Sequence, residues 1–250
     1  TEAGRIVALA DKLDALAGIF AIGKKPSGTR DPFGLRRGAL GVIRILTECH
    51  LDLDLKTLVQ IALDIQPVDN PVNKHADKPV DNPSIVLEYL LERMKGLYTE
   101  QGIPVEHFQA VIATGNTLPT DIQLRMNALS DFVSLPEAES LAAAHKRIRN
   151  ILKDIELTTE NIKKEQLLEK EEQQLYQSLE AISYKTEQMV ESKDYVGALR
   201  QIATLQTPVD AFFNEVMVMA DDEQLRQNRL ALLTRLDRLF KSVADFSCLT

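Results

Sequence analysis

The sequence TPVDAFFNEVMVMADDEQLRQNRLALLTRLDRLFKSVADFSCL, residues Thr207 to Leu249, decides the fold of this chain. Thr207 is a candidate N-cap and Pro208 follows it at the first helical position, so a helix is predicted to begin here. Apolar side chains then recur at helical spacing, and they are Val209, Phe212, Phe213 and Val216. Asp221, with Gln224 three residues later, predicts that a second helix begins with a capping box. Two helices are therefore expected to meet at a sharp corner.

The second of these helices is predicted to combine an apolar stripe with a basic coat. The apolar stripe consists of Leu225, Leu232, Leu236, Leu239 and Val243. The basic side chains spread over the remaining surface are Arg226, Arg229, Arg235, Arg238 and Lys241. Because the apolar positions recur with the period of a helix, one side is expected in a core and the other in solvent.

Composition independently favours an all-α protein. Of the 250 residues, 44% are hydrophobic but only 5% are aromatic, and tryptophan is absent. Leu, Ala, Glu, Lys and Gln dominate, and these residues favour helices over strands. The length allows one large or two modest domains. The chain is in helical register from Thr1, so we interpret it as a fragment of a longer polypeptide.

The sequence predicts a cytoplasmic protein with no membrane partner. No apolar run is long enough to span a bilayer, and no charged-then-apolar segment precedes a cleavage site. Cys49 and Cys248 are isolated, so the sequence suggests neither a disulfide framework nor a zinc site. No nucleophile elbow, zinc-protease helix or ATP-site signature is present, so a catalytic centre is not expected within this chain.

Positive charge is concentrated in three stretches, although the formal net charge is −8. In the first stretch a single acid, Asp31, accompanies six cations, which are Lys24, Lys25, Arg30, Arg36, Arg37 and Arg44. The second stretch contains no acid and consists of Lys146, Arg147, Arg149 and Lys153. The third is the basic coat described above. Such stretches suit an RNA backbone, but solvated helices also carry basic runs, and charge alone leaves both interpretations open.

Two predicted helix starts locate the first two basic stretches on helices. Asp31-Pro32 predicts an N-cap followed by proline at the first helical position, and the helix beyond it has an apolar stripe of Leu35, Ala39, Val42, Ile43 and Leu46. Leu135-Pro136 is the predicted domain boundary, dividing residues 1–134 from residues 135–250. On the helix after this boundary, one polar face consists of Lys146, Arg149, Asn150 and Lys153.

Two segments receive only structural interpretations. Residues 160–193 are heavily charged with a sparse seven-residue apolar spacing, which favours a solvated helical arm over a partner-binding coiled coil. The motif PVDNP occurs at Pro67 and again at Pro79, in a segment interpreted as an inserted loop without an assigned role.

Three blocks resemble one family in the same order along the chain. In chain order they are ALADKLDALAGIFAIGKKPSGTRDPFGLRRGALGVIRIL from Ala8, LPEAESLAAAHKRIRNIL from Leu135, and PVDAFFNEVMVMADDEQLRQNRLALLTRL from Pro208. Together they resemble the C-terminal portion of the β subunit of bacterial glycyl-tRNA synthetase. The block from Pro208 resembles the helical anticodon-binding domains shared with arginyl- and cysteinyl-tRNA synthetases. Residues 1–134 would then contain the end of a His–Asp-type domain with connecting helices, and residues 135–250 the anticodon-binding domain.

This resemblance implies a tRNA-binding part of glycine–tRNA ligase that acts in protein biosynthesis. The implied partners are glycine tRNA, the α subunit and the remainder of the β subunit, with no DNA and no membrane. ATP and Mg²⁺ would be used by the α subunit, so no cofactor is expected in this chain. The candidate tRNA-binding residues are Lys24, Lys25, Arg30, Arg36, Arg37, Lys146, Arg147, Arg149, Asn150, Lys153, Arg226 and Arg229.

Two alternatives from other functional classes remain. ADKLD, at Ala10 to Asp14, resembles the closing helix of His–Asp metal phosphohydrolase domains, whose last acidic ligand would match Asp11. The histidine and the His–Asp pair that such domains need do not precede His50, so Asp11 is expected to be structural. The other alternative is a helical protein-interaction scaffold, which internal pairing of the basic stretches would favour.

Overall fold

The regular secondary structure is helical throughout the residues that the structure, a computed structural model, describes. These residues are 1–24, 31–66, 83–153, 155 and 161–249. Their α-helices are α1 Glu2–Ala21, α2 Leu35–Glu48, α3 Leu55–Asp64, α4 Pro83–Glu100, α5 Val105–Ile112, α6 Pro119–Phe132, α7 Ala138–Leu152, α8 Lys170–Glu191, α9 Tyr195–Ala203, α10 Gln206–Glu215 and α11 Glu223–Lys241. Two short 3₁₀ helices, Lys164–Gln166 and Phe246–Leu249, complete the set. The prediction of an all-α fold is confirmed.

Packing divides the chain into two compact units. Unit 1 takes residues 1–105 and 117–123, and unit 2 takes residues 106–116 and 124–250. The domain boundary predicted at Leu135 is a different division from these packing units, and it stays a prediction. By packing, the α5 helix beyond Val105 and the later part of α6 belong with the segment that was predicted to form the second domain.

Unit 1 is built on the packing of α1 against α2 and α3, with α4 against α2 and α3. The predicted stripe of α2 is confirmed, since all five of its apolar residues are buried. Four of them, Leu35, Ala39, Val42 and Leu46, share one core with Leu13, Leu16 and Phe20 of α1. A Cβ on Gly41 would lie 2.6 Å from Cε of Lys12, so the stem of that lysine packs directly on the glycine backbone.

The start of α2 differs from the prediction. Asp31 does cap the helix, because its carboxylate accepts hydrogen bonds from the backbone N–H groups of Leu35, at 2.8 Å, and Arg36, at 3.0 Å. The helix itself begins at Leu35, three residues later than Pro32, because Gly34 holds the N-cap position with a φ of 67°. That left-handed backbone conformation is open to glycine at little cost.

Unit 2 is a helical bundle around an aromatic cluster. The ring of Phe246 stacks on Phe132, with centroids 4.9 Å apart, and on Phe240, with centroids 5.1 Å apart. α7 packs against α10, α11 and the last 3₁₀ helix. The predicted stripe of α11 is confirmed at Leu232, Leu236, Leu239 and Val243, which are buried, whereas Leu225 is only half-buried.

The predicted corner corresponds to residues 216–222, which separate α10 from α11, but both helix starts lie elsewhere than predicted. α10 begins at Gln206 after Leu205, so Thr207 is already inside the helix. α11 is capped by Asp222 rather than Asp221, and its carboxylate accepts from the backbone N–H groups of Gln224, at 2.8 Å, and Leu225, at 3.2 Å.

The solvated arm predicted for residues 160–193 is wrong. α8 packs against α9, α10 and α11 within unit 2. Leu175, Leu179 and Ile182 are buried along its inner face. The buried side chains recur at intervals of three and four residues, so they supply an ordinary core face rather than a sparse heptad seam.

Candidate nucleic-acid interface

α7 carries a row of polar side chains on its outer face. The predicted row Lys146, Arg149, Asn150 and Lys153 is exposed at all four positions, and Lys153 caps the C-terminal end of the helix. The opposite face is buried through Leu141, His145 and Ile148. Because the spacing of the four residues is that of one helix face, the structure brings them together on one surface, as predicted.

The row is held in place by His145, which is fully buried. Its Nε2 lies 3.0 Å from Oδ1 of Asp237 on α11, and its Nδ1 lies 3.5 Å from Oδ1 of Asp245. The imidazole also meets the ring edges of Phe240 and Phe246. The Nε2 atom hydrogen-bonds to Asp237, whereas the buried Nδ1 has no hydrogen-bond partner among the described residues. A buried polar group that is hydrogen-bonded in this way favours one arrangement of the neighbouring helices. His145 thus fixes the rotation of α7 that presents the polar row.

Asp237 is held ionised by its partners. Burial raises the pKa of its carboxyl, but hydrogen bonds from His145 and from Lys241, whose Nζ lies at 2.9 Å, outweigh burial and leave the pKa below its usual value. Asp237 is therefore ionised at neutral pH and forms an ion pair with Lys241.

Arg149 is the member of the row that the network orients. Its Nε lies 3.8 Å from Oδ2 of Asp245, whose side chain is almost fully buried, while 47% of the Arg149 side chain stays exposed. One edge of the guanidinium thus faces the protein, and much of the side chain remains accessible to a ligand. A planar fork oriented in this way suits recognition of a base edge or a phosphate.

Arg147 lies off this row and contacts α10. Its guanidinium carbon lies 4.5 Å from the ring centroid of Phe213, and its Nη1 donates to the Phe213 carbonyl at 3.5 Å. Phe213 was predicted to join the buried face of α10 but is only half-buried. The pair leaves an exposed arginine with one face covered by an aromatic ring.

Arg229, a predicted tRNA contact, is buried and engaged inside the protein instead of lying on the surface. Its residue surface is 6% exposed, its Nε donates to the carboxylate of Glu172, and its Nη1 donates to the Met217 carbonyl at 2.7 Å. A guanidinium already engaged inside the protein offers no edge to a base. Arg229 instead joins α11 to α8 and to the corner.

Arg226 also fastens the corner. It forms an ion pair with Glu223, and its Nη1 donates to the Ala220 carbonyl at 3.2 Å. Elsewhere in the predicted basic coat of α11, Arg235 pairs with Glu180 and Lys241 pairs with Asp237. Internal acids therefore neutralise much of this coat, which weakens the case for α11 as an RNA-binding surface.

In unit 1, the described candidates gather near the start of α2. Lys24 and Arg37 are exposed and Arg36 is half-buried. The Nζ of Lys24 lies 5.5 Å from the ring centroid of Phe33, and the guanidinium of Arg37 lies beside Gly34. Arg36 adjoins Tyr89. Burial, together with the charge of Asp31, raises the pKa of the Tyr89 hydroxyl, and the opposite effect of Arg93 and Arg36 is smaller. Lys25 and Arg30 lie outside the described residues, as does most of the PVDNP segment.

Asp11 lies exposed on α1, beside a cavity of about 300 Å³ that Lys12 and Arg37 also line. Within the described part of the chain, no group of three or more His, Cys, Asp and Glu side chains could hold a metal ion. Over the same residues, no helix is long and apolar enough to cross a membrane.

Sequence reasoning missed the residues that position this surface. His145, Asp237 and Asp245 lie up to 100 positions apart in sequence, so no local motif joins them. Arg125 was also missed: it donates to the carbonyls of Ser242 and Val243 and lies over the ring of Tyr195, at 4.4 Å from its centroid. The signal for His145 was its position on the apolar stripe of α7, one residue after Ala144.

Comparison with known protein families places both ends of the chain. Residues 1–113 match the family model described as glycyl-tRNA synthetase beta subunit, and residues 141–246 match the model described as DALR anticodon binding domain.

Individual relatives match along the whole chain. A glycine–tRNA ligase beta subunit of Alteromonas mediterranea is 46% identical over 246 residues, covering 97% of this chain and 34% of the relative. That of Hahella chejuensis is 41% identical over 252 residues, and that of Acinetobacter baylyi 43% over 249, each covering 100% of this chain and 35% of the relative. The chain spans about a third of the length of these curated relatives.

The chain belongs to the glycyl-tRNA synthetase β-subunit family. The family resemblance stated from the sequence is thereby confirmed.

Proposed function

We propose that this member of the β-subunit family is a tRNA-binding part of a glycine–tRNA ligase. The observation that carries the proposal is the exposed polar row of α7, inside the segment that matches an anticodon-binding domain. Its four side chains offer three positive charges and one amide on a helix that buried contacts hold in a fixed rotation. Unpaired bases in an RNA loop are read by such hydrogen-bonding groups on a fixed surface.

In this proposal the two units have different roles. Arg36 and Arg37, with Lys24 nearby, bind the phosphate backbone and carry no sequence information. Arg149 and Asn150 read base edges in the glycine anticodon, while Lys146 and Lys153 add charge at either end of the row. Arg147 contributes charge and a guanidinium plane braced by Phe213. Arg226 and Arg229 take no part in the contact with RNA.

The chemistry belongs to the rest of the ligase. The relatives' name implies that the assembled enzyme joins glycine to its tRNA, and we propose that ATP and Mg²⁺ are used by the α subunit in the cytoplasm. The partners of this chain are then glycine tRNA, the α subunit and the remainder of the β subunit. The 250-residue chain alone is expected neither to activate glycine nor to hydrolyse phosphate esters. Glycine-dependent pyrophosphate exchange by the purified chain is the measurement that would contradict this.

The test of the proposal is the binding of Arg149→Ala to two tRNAs at fixed salt. We expect a loss of about 1–3 kcal/mol against glycine tRNA, the range of a good polar base contact, and a smaller loss against the same tRNA with its anticodon replaced. Arg200→Ala is the matched control, because Arg200 is an exposed arginine on α9 outside the row. Equal losses on both tRNAs would remove Arg149 from base reading, and absence of tRNA binding by the parent chain would overturn the proposed function.

A helical protein-interaction scaffold is the second candidate, and the ion pairs of α11 favour it. Arg226, Arg235 and Lys241 are paired with acids of the same unit, which is the arrangement expected of a surface that does not bind RNA. The two candidates differ in their salt dependence. Binding of RNA that weakens linearly on a log–log plot against salt supports the tRNA role, whereas capture of a protein partner without RNA binding supports the scaffold.

A further inference from the structure

An apolar groove lies in unit 1 between α1 and α3, far in sequence from the polar row. It has a volume of about 640 Å³. Its lining includes Ile6, Leu9 and Leu13 from α1, Leu58 and Ile61 from α3, and Ile65, which caps the C-terminal end of α3. We define these six residues as the α1–α3 groove.

Several apolar side chains of the groove are exposed to solvent, which is energetically unfavourable. Ile6 is 59% exposed, Ile61 is 55% exposed and Ile65 is 67% exposed, and the neighbouring Val7 is 67% exposed. Leu9 and Leu13 form a floor that is only 6% exposed. Folded proteins carry single exposed apolar residues without consequence, but a contiguous apolar concavity marks a surface that another element covers.

The geometry of the groove fits an α-helix. Ile6, Leu9 and Leu13 follow helical spacing along α1. Leu58 and Ile61 of α3, with the C-cap residue Ile65, have the same spacing. Two such rows leave a valley into which the side-chain ridge of a third helix packs. From Ile6 to Leu13 the valley runs about 10 Å, or two helical turns. The occupant is therefore a short amphipathic helix with apolar residues at positions i, i+3 or i+4, and i+7.

The charges around the groove argue against RNA as its occupant. Glu2, Asp14 and Asp52 lie at the edges beside a single arginine, Arg5, and His50. Asp14 accepts a hydrogen bond from Gln66 at 2.8 Å, and Asp52 accepts one from Thr120 at 2.7 Å. An apolar channel bordered mainly by acids repels phosphate, and it suits a helix with basic residues along its flanks.

A second copy of the chain is also a poor fit. Two concave grooves cannot fill one another, and among the described residues the other exposed large apolar side chains do not form a helical row. Leu124 lies within α6 and Val133 directly after its end, nine positions away, and Met217 and Met219 belong to the segment between α10 and α11.

We propose that the α1–α3 groove is the docking site for an amphipathic helix from the part of the longer family polypeptide that this chain does not match. About two thirds of each relative's length lies outside the matched span. A segment of the same polypeptide reaches the groove at a high effective concentration, so a two-turn helix suffices for stable docking. This inference does not depend on tRNA binding.

Hydrogen exchange tests the proposal by comparing the 250-residue chain with the full-length gene product. We expect the amides of α1 and α3 that flank the groove to exchange at least about tenfold more slowly in the full-length protein, because opening then requires the docked helix to leave. The double variant Ile61→Asp with Ile65→Asp is expected to abolish that protection in the full-length protein. In the 250-residue chain it should leave the melting temperature unchanged, because both side chains are exposed.

Two further measurements keep the proposal falsifiable. Leu168→Asp is the matched control, because Leu168 is 61% exposed in unit 2, and it should leave the protection in place. If the double aspartate variant does not fold, Ile61→Ser with Ile65→Ser replaces it. Equal exchange of α1 and α3 in the two proteins would overturn the proposal. Protection in the 250-residue chain that rises with its concentration would also overturn it, in favour of a second copy.

Discussion

The largest loss of stability that we predict for a single substitution concerns the ion pair between Arg229 and Glu172. Both side chains are buried, at 7% and 0% exposed, and Glu172 also accepts from the backbone N–H of Glu169 at the start of α8. Arg229→Ala leaves a buried carboxylate without its cation, so we expect a loss of about 3–5 kcal/mol in the free energy of unfolding. Urea denaturation at neutral pH measures this loss.

Arg226→Ala is the control for that measurement. The side chains of Arg226 and Glu223 are 31% and 59% exposed, and such pairs contribute at most about 1 kcal/mol. Similar small losses for both variants would show that Glu172 finds other partners when Arg229 is removed.

The lowered pKa of Asp237 predicts how stability depends on pH. A carboxyl whose pKa is lower in the folded than in the unfolded chain stabilises the fold above its unfolded pKa, which is about 3.9 for aspartate. That contribution disappears as the pH falls through the folded-state pKa. Asp237→Asn removes the titrating group, so its free energy of unfolding should fall less steeply than the parent's between about pH 5 and pH 2.

Denaturation curves across that pH range check this prediction, with the exposed Asp221→Asn as control. The control should keep the parent's slope. A slope for Asp237→Asn that matches the parent's would mean that other carboxyls carry the acid sensitivity of unit 2.

At the scale of the element, two adjacent aspartates before α11 have different roles. Asp222 accepts two backbone N–H groups at the start of α11, and Asp221 precedes it as an exposed residue. Asp222→Ala should therefore cost about 0.5–2 kcal/mol of stability, the usual loss of an N-cap, while Asp221→Ala should cost almost nothing. Thermal or urea unfolding of the two variants decides which aspartate caps the helix, and the reverse order would restore the capping box predicted from the sequence.

The same element shows which structural features sequence can predict. Apolar spacing predicted the core faces of α2 and α11 because burial depends on a period that the residues themselves carry. The helix starts were misplaced by one to three residues, because more than one residue near each start could occupy the N-cap position, and α10 begins after Leu205 without any side-chain cap. Sequence was a poorer guide to which arginines are exposed. Arg149 and Arg229 are alike in sequence, but Glu172 lies 57 residues before Arg229, and no local pattern indicates that pairing.

At the scale of the whole molecule, the proposed function rests on the distribution of charge. The chain has a formal net charge of −8, yet the described part of unit 1 presents Lys24, Arg36 and Arg37 together near the start of α2. Unit 2 presents the row of α7. An acidic protein with local basic surfaces binds RNA through a few defined contacts, and its net charge repels polyanions elsewhere on the surface. Few phosphate contacts imply a shallow dependence of affinity on salt.

The last prediction tests whether unit 1 makes the proposed backbone contacts and unit 2 the proposed base contacts. Arg36→Ala combined with Arg37→Ala should weaken binding to all tRNAs alike and lower the log–log salt slope by about 1 for each phosphate that is no longer neutralised. Lys185→Ala, an exposed lysine on α8, is the control and should change neither quantity. Because Arg36 is half-buried near Tyr89, Arg37→Ala alone is measured as well, and half the change in slope is expected from it. A weakening confined to glycine tRNA would instead place base reading in unit 1, since phosphate contacts cannot distinguish one tRNA sequence from another.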